Sequence, residues 1–203
     1  GRRVKVSPGE TIRAVNARLA RYGYKLGPDP ASEIACTIGG MVANNSSGMA
    51  CGTKFNTYNT IESMTFVLPS GTVINTAHKD AEAQFAREEA ELVAKLEQLK
   101  RRVRDNRESV DTIERHFALK NTMGYGLNSF LDFDSPVKLF EHLLIGSEGT
   151  LAFIAEAVFR TVPISKLTTT TVAVFDDLTA ATKSLPALLD TGAATLELMD
   201  SAS

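Results

Sequence analysis

The sequence predicts an α+β chain: an antiparallel or mixed sheet with flanking helices and a helical insertion. Three observations lead there. Alternating, β-branched segments flank a tight turn at Pro69-Ser70-Gly71, the pattern of a hairpin. Between residues 80 and 117 the apolar period lengthens to that of helices. Small-residue turns at residues 37–52 and 145–150 separate the regular segments.

Taken in order, Val4-Lys5-Val6 reads as a strand and Ser7-Pro8-Gly9 as the turn after it. Thr11 is placed to cap a helix whose inner face carries Ile12, Val15 and Leu19, and Gly23 stops it. Pro28-Asp29-Pro30 imposes an extended path. Ile61 to Leu68 and Thr72-Val73-Ile74 are the two hairpin strands. Residues 80–106 form one helical stretch with Phe85, Leu92, Leu96, Leu99 and Val103 on a face, and with Glu91/Lys95 and Glu97/Arg101 as i,i+4 pairs. A shorter helix carries Val110, Ile113 and Phe117. Residues 119–126 are irregular, and Pro136 to Leu144 is a short helix with Pro in its first turn. The 145–150 turn feeds a strand from Leu151 to Val162. Beyond Pro163 a strand (Thr168 to Phe175), a helix (Leu178 to Leu189) and a strand (Ala194 to Met199) read as β-α-β. That texture divides the chain into a domain over 1–163 and the start of another over 164–203.

Charge and composition exclude several functions. With 22 basic and 24 acidic residues the formal net charge is −2, which gives no basic face for nucleic-acid phosphates. No apolar run approaches the ~20 residues of a membrane span. Two cysteines, Cys36 and Cys51, are too few for a disulfide framework, a zinc site or an iron–sulfur cluster, and a reducing, cytoplasmic setting is the default. His78, His116 and His142 show no ligand spacing, so no metal site is expected. Both ends look cut, and the expectation is a piece of a longer protein.

The richest segment is Thr37 to Gly52. It holds Gly39, Gly40, Gly48 and Gly52 of the chain's 14 glycines, with paired Asn44-Asn45 and Ser46-Ser47 between them. Glycine lets a ligand press against bare backbone, and a nest of N–H groups can surround a pyrophosphate. The same composition also suits a tight surface loop. Neither the dinucleotide fingerprint nor the P-loop fits, since Gly39 and Gly40 are adjacent and no Lys closes the motif.

The ordered set is more specific than any one motif. Pro28-Asp29-Pro30-Ala31-Ser32, Thr37-Ile38-Gly39-Gly40 and Asn44-Asn45-Ser46-Ser47-Gly48 come first. Gly124-Tyr125 and Ile145-Gly146-Ser147-Glu148-Gly149-Thr150-Leu151 follow. Together they resemble the FAD-linked oxidases of the vanillyl-alcohol oxidase, or PCMH, type, over essentially the whole chain. Within that family the chain looks most like the FAD-binding half of D-2-hydroxyacid dehydrogenases of the D-lactate dehydrogenase kind. The two-helix insertion points to the branch that often carries a C-terminal iron–sulfur region.

The resemblance implies the second subdomain of a PCMH-type FAD-binding domain, followed by the first β-α-β of a substrate-side cap. It implies FAD as cofactor, and a parent enzyme that oxidises a D-2-hydroxy acid by hydride transfer to flavin. The electrons would pass to an iron–sulfur centre or a membrane acceptor, with the parent cytoplasmic or peripheral to the inner face of the membrane. It places Pro28 and Asp29 close to the flavin, and the Thr37-Ile38-Gly39-Gly40 turn beside its ribityl and pyrophosphate. Asn44, Asn45, Ser46, Ser47 and Gly48 would continue along the phosphates and the ring edge. Gly149 belongs to the second turn, and Ile154 would offer backbone hydrogen bonds to the adenine end. Glu148 would pin its turn to neighbouring backbone. Ser47 and Ala152 stand where Gly is usual, so a positive φ at 47 and the close packing of the strand at 152 are open points.

No catalytic residue is expected in this chain, because the family's first phosphate loop and its metal-binding histidines would lie outside it. The piece alone is expected to be inactive and to bind FAD weakly or not at all. Two other functions stay open: an FAD-dependent sugar or alcohol oxidase of the same fold, and a non-catalytic module that has lost its flavin.

Overall fold

Val4 and Val6 alternate with charged neighbours and form β1 (Arg3–Val6) in the computed structural model, which describes residues 2–200. The described residues fall into two units, one up to Ile164 and one from Ser165 onward. In the first, α1 (Ile12–Ala20) starts at Thr11, whose hydroxyl accepts the Ala14 N–H, and buries Ile12, Val15 and Leu19. The turn after it uses Gly23 at φ 77°, and β2 (Tyr24–Lys25) follows. Next come α2 (Ile38–Ala43), α3 (Thr57–Thr60), β3 (Ile61–Val67) and β4 (Val73–Asn75). The helices α4 (Ala81–Glu88), α5 (Ala90–Arg104), α6 (Arg107–Phe117), α7 (Ser129–Asp132) and α8 (Pro136–Leu143) then lead to β5 (Phe153–Arg160) and β6 (Val162–Pro163).

One antiparallel sheet in the order β1-β5-β3-β4 organises this unit, and β2 pairs with β6 beside it. Phe66 stands opposite both Ile74 and Ile154, so one cross-strand row of large apolar side chains faces inward. Because strand side chains alternate, a one-residue slip would turn this row to solvent, and burial therefore fixes the register. Phe66, Phe85 and Phe140 meet with ring centroids 5.3–6.3 Å apart, which clamps α4 and α8 onto the sheet. Such aromatic pairs add about 1 kcal/mol each beyond area burial.

Four local expectations need correction. The Thr37-Ile38-Gly39-Gly40 segment is not a turn but the start of α2. Ile38, Met41 and Val42, at i, i+3 and i+4, are fully buried, and that burial outweighs the poor helix propensity of two glycines. The helical stretch 80–106 is broken at Glu89 (φ −129°, ψ 40°) into α4 and α5. On α5 Leu99 is 44 % exposed while Lys100 is buried. Accordingly Glu97 pairs with Lys100 at 2.7 Å and not with Arg101, whereas the Glu91–Lys95 pair forms at 2.6 Å. In the second unit only the helix α9 (Leu178–Asp190) forms; residues 168–175 and 194–199 pair with no strand among the described residues. Their apolar side chains, Val172, Val174 and Leu198 among them, are exposed, and a strand without a partner has no ladder to hold it. Among the described residues no helix is long and apolar enough to cross a membrane.

The helical insertion is tied in by two cations. Arg104 donates to the carbonyls of Phe130, Leu131 and Phe133 and pairs with Asp134 at 2.6 Å. Lys100 donates to the Asp134 carbonyl. Both grip the end of α7, an element too short and too polar to be evident from periodicity.

Candidate functional site

Three segments far apart in sequence converge at the end of α2. The helix itself begins on Thr37, whose hydroxyl accepts the Gly40 N–H at 3.2 Å. Its first amides are anchored outward, with Ile38 N–H on the Glu10 carbonyl and Gly39 N–H on that of Pro8. Thr37→Ala is expected to cost about 1 kcal/mol through loss of that cap. Thermal unfolding checks it, and an unchanged midpoint would refute the role.

α2 stops in a Schellman motif. Asn45 takes the left-handed conformation (φ 47°), its N–H bonds the Val42 carbonyl, and the Ser46 N–H bonds that of Met41. The positive φ therefore falls on Asn45, a residue type that tolerates it, and not on Ser47. Asn44 donates from its side chain to the Ser46 hydroxyl, and Thr57, at the start of α3, donates to the Ser46 carbonyl from a buried site. Gly48 lies hard against Asp29: a Cβ there would sit 2.1 Å from the Asp29 carbonyl oxygen. The Asp29 carboxylate accepts the N–H groups of Ala50 (3.0 Å) and Cys51 (3.1 Å).

The other two segments close over this loop. Gly146 N–H donates to the Val42 carbonyl and Glu148 N–H to that of Ala43. Gly146 has φ 88°, and a Cβ on it would meet the Gly124 carbonyl at 2.7 Å. From the 119–126 segment, Lys120 donates to the Gly48 carbonyl at 3.0 Å, and the Asn121 carbonyl accepts from the Asn45 amide at 3.3 Å. Tyr125 shares a 2.7 Å hydrogen bond with Thr150 and is 42 % exposed, so it is no core aromatic. Glu148 pins its turn through its backbone N–H; its side chain is exposed.

Of the residues singled out in the sequence, Asp29 and the segment 44–48 meet in this cluster, with Gly149 in the turn above it at φ 74°, whereas residues 37–40 lie at the opposite end of α2 against Pro8 and Glu10. Pro28 is buried beside Asp29. Ile154 stands apart on β5, opposite Phe66. β1 covers β5 only from Ala157 onward, so no strand among the described residues flanks Ile154 on that side. Ala152 is buried with its methyl in the core. Lys120, Asn121 and Thr57 are contacts that sequence spacing does not reveal, since their partners lie 72, 76 and 11 residues away.

Unsatisfied polar groups collect in the cluster. Asn45 Oδ1 and Ser147 Oγ are buried and have no partner among the described residues. The amides of Ser47 and Gly48 likewise meet no acceptor among them. Buried polar atoms are normally paired; the other two such side-chain atoms among the described residues, Asn128 Oδ1 and Ser129 Oγ, lie at the start of α7. The thiol of Cys51, 3 % exposed, is pushed up from its usual pKa by burial, with the Asp29 carboxylate adding to it; it is an inert neighbour and not a nucleophile.

His142 lies outside the cluster. Its ring packs 4.0 Å from Phe133 and 4.8 Å from Tyr58 between centroids, and burial lowers its pKa to about 4.

Comparison with known proteins adds an independent line. The FAD binding domain family matches residues 1–77. D-2-hydroxyglutarate dehydrogenase of Pantoea ananatis is 27 % identical over 98 % of this chain and 20 % of its own length. D-lactate dehydrogenase of Archaeoglobus fulgidus is 28 % identical over 76 % of this chain and 23 % of its own. The glycolate oxidase subunit GlcD of Escherichia coli is 45 % identical over 25 % of this chain and 10 % of its own. Among solved structures, alkyldihydroxyacetonephosphate synthase is 20 % identical over 82 % of this chain and 20 % of that one, with a TM-score of 0.46. The chain thus spans about a fifth of the length of the two dehydrogenases. Residues 1–77 thus match an FAD binding domain, and along its length the chain is similar to D-2-hydroxyglutarate and D-lactate dehydrogenases at 27–28 % identity.

Proposed function

We propose that the loop after α2 and the 145–150 turn hold the ribityl–pyrophosphate part of FAD, and that the whole protein oxidises a D-2-hydroxy acid of the lactate kind. The observation that carries this is the set of unpaired polar groups where the three segments meet. Its chemistry fits the cofactor. Free N–H groups at Ser47 and Gly48 and the Ser147 hydroxyl suit phosphate oxygens, while Asn45 Oδ1 needs a donor such as a ribityl hydroxyl. Backbone donors bind a pyrophosphate without committing lysines, and Lys120 adds one positive charge nearby.

Bound FAD would accept the hydride from the substrate's α-carbon; the protein's share is binding and orientation. Thr37, Ile38, Gly39 and Gly40 contribute by fixing where α2 begins, and so where its far end delivers Asn44 to Gly48. Gly146 lets the second turn approach that loop and the Gly124 carbonyl with no side chain in the way, and Gly149 supplies the turn's positive φ. At Ile154 the strand backbone is open for a further contact. The substrate class draws support from the relatives' names, since 2-hydroxyglutarate, lactate and glycolate are all 2-hydroxy acids.

The full-length protein, assayed with D-lactate, D-2-hydroxyglutarate and glycolate and a dye acceptor, tests this reading. Bound flavin and turnover of at least one D-2-hydroxy acid are expected. A flavin-free protein, or one that reduces the dye only with a sugar or alcohol, would refute it.

A further inference from the structure

Asp29 occupies the cluster, and each of its carboxylate oxygens already accepts a backbone N–H. Oδ2 accepts the Ala50 N–H and Oδ1 the Cys51 N–H, 21 and 22 residues further along. Prolines on either side, Pro28 and Pro30, stiffen the backbone that carries it. Gly48 rests directly on that backbone, and Lys120 holds the Gly48 carbonyl from the opposite segment. The loop is thus gripped from two sides.

We propose that Asp29 is a positioning residue, which shapes the cofactor site by fixing the 44–52 loop and does not itself touch the cofactor. This role rests on the reading of that loop as an FAD cradle. The residue type follows from the geometry. Two N–H donors converge on two oxygens, and only a carboxylate offers two acceptors there; an amide would place its NH2 against one of the donors. Hydrogen bonds to an ionised acceptor are the stronger kind. A loop set in place before binding spares the cofactor the cost of ordering it.

Asp29→Asn in the full-length protein tests this. In the apoprotein, amide hydrogen exchange at Ala50 and Cys51 is expected to speed at least tenfold. FAD affinity should fall about tenfold, while the reduction potential of the saturated flavin stays as in the wild type. Asp29→Glu, which keeps both acceptors, should lie between the two and carries the comparison if the amide variant does not fold. Weaker FAD binding with unchanged exchange, or a shifted potential, would mean direct contact and overturn the role. Faster exchange with unchanged affinity, or no change in either, would overturn it as well. A wild-type protein that binds no FAD would instead sink the functional reading on which the role rests, and the two failures are told apart by that wild-type titration.

Discussion

Gly48→Ala in the full-length protein is expected to abolish retention of FAD. The added methyl would stand 2.1 Å from the Asp29 carbonyl oxygen and 2.3 Å from its Oδ1, well inside any tolerated contact. Neither side can yield cheaply. Asp29 sits between two prolines with its carboxylate bound to Ala50 and Cys51, and the Gly48 carbonyl is held by Lys120. Forcing extra volume into such a site costs about 3 kcal/mol, which the loop can escape only by moving away from Asp29. Expressed in binding, that is a loss of roughly a hundredfold. Gly9→Ala is the matched control: nothing lies within 4 Å of a Cβ there, and a surface change of this kind stays within about 0.5 kcal/mol. FAD titration of the two apoproteins measures the difference. Equal affinities for both variants would refute the packing argument.

Stability of the chain should fall as pH drops from 6.5 to 4, and His142 is the main cause. Burial lowers its pKa to about 4 from the ordinary 6.5. The folded state therefore keeps the ring neutral, while the unfolded state takes up a proton throughout this window. The stabilisation is complete above 6.5 and is lost as pH falls through the folded value. The difference amounts to about 3 kcal/mol at most. Glu141 acts with the opposite sign. It is fully buried, and burial raises its pKa although the Lys138 ammonium and the Thr76 hydroxyl favour the charged form. A raised carboxylate stabilises most below its ordinary value, so Glu141 partly offsets His142 in acid. His142→Phe keeps a ring against Phe133 and Tyr58 but cannot titrate. The variant should lose the wild-type slope, read as the urea midpoint against pH. A wild-type midpoint that is flat from 6.5 to 4, or a variant with the same slope, would contradict this.

Strands and hairpin were legible because β-rich composition flanks clear turn residues, and alternation coincides with burial in part: Val6, Phe66 and Ile74 are buried while Lys5, Thr65 and Val73 are not. Thr11 announced its helix by the side-chain cap it makes, and Pro136 marked the first turn of another, which the structure shows capped by Ser135. The failures share a cause, which is that long-range contacts overrule local preference. Gly39-Gly40 looks like a turn, yet Ile38, Met41 and Val42 make it helical. Lys100 displaced Arg101 as the partner of Glu97 because Lys100 also reaches the Asp134 carbonyl, 34 residues away. At the site, the small residues of 44–48 were legible as backbone prepared for close approach. The part played by Asp29 was not, since nothing local says that its acceptors will meet Ala50 and Cys51. Residues 168–175 carry the β-branched composition of a strand, but composition supplies no neighbour to pair with.

The visible absorption spectrum of the purified full-length protein bears most directly on the FAD cradle, compared between wild type and Gly48→Ala at equal protein concentration. The account predicts the bands of an oxidised flavin in the wild type and their loss in the variant. A wild type without those bands, or a variant that keeps them in full, would contradict it.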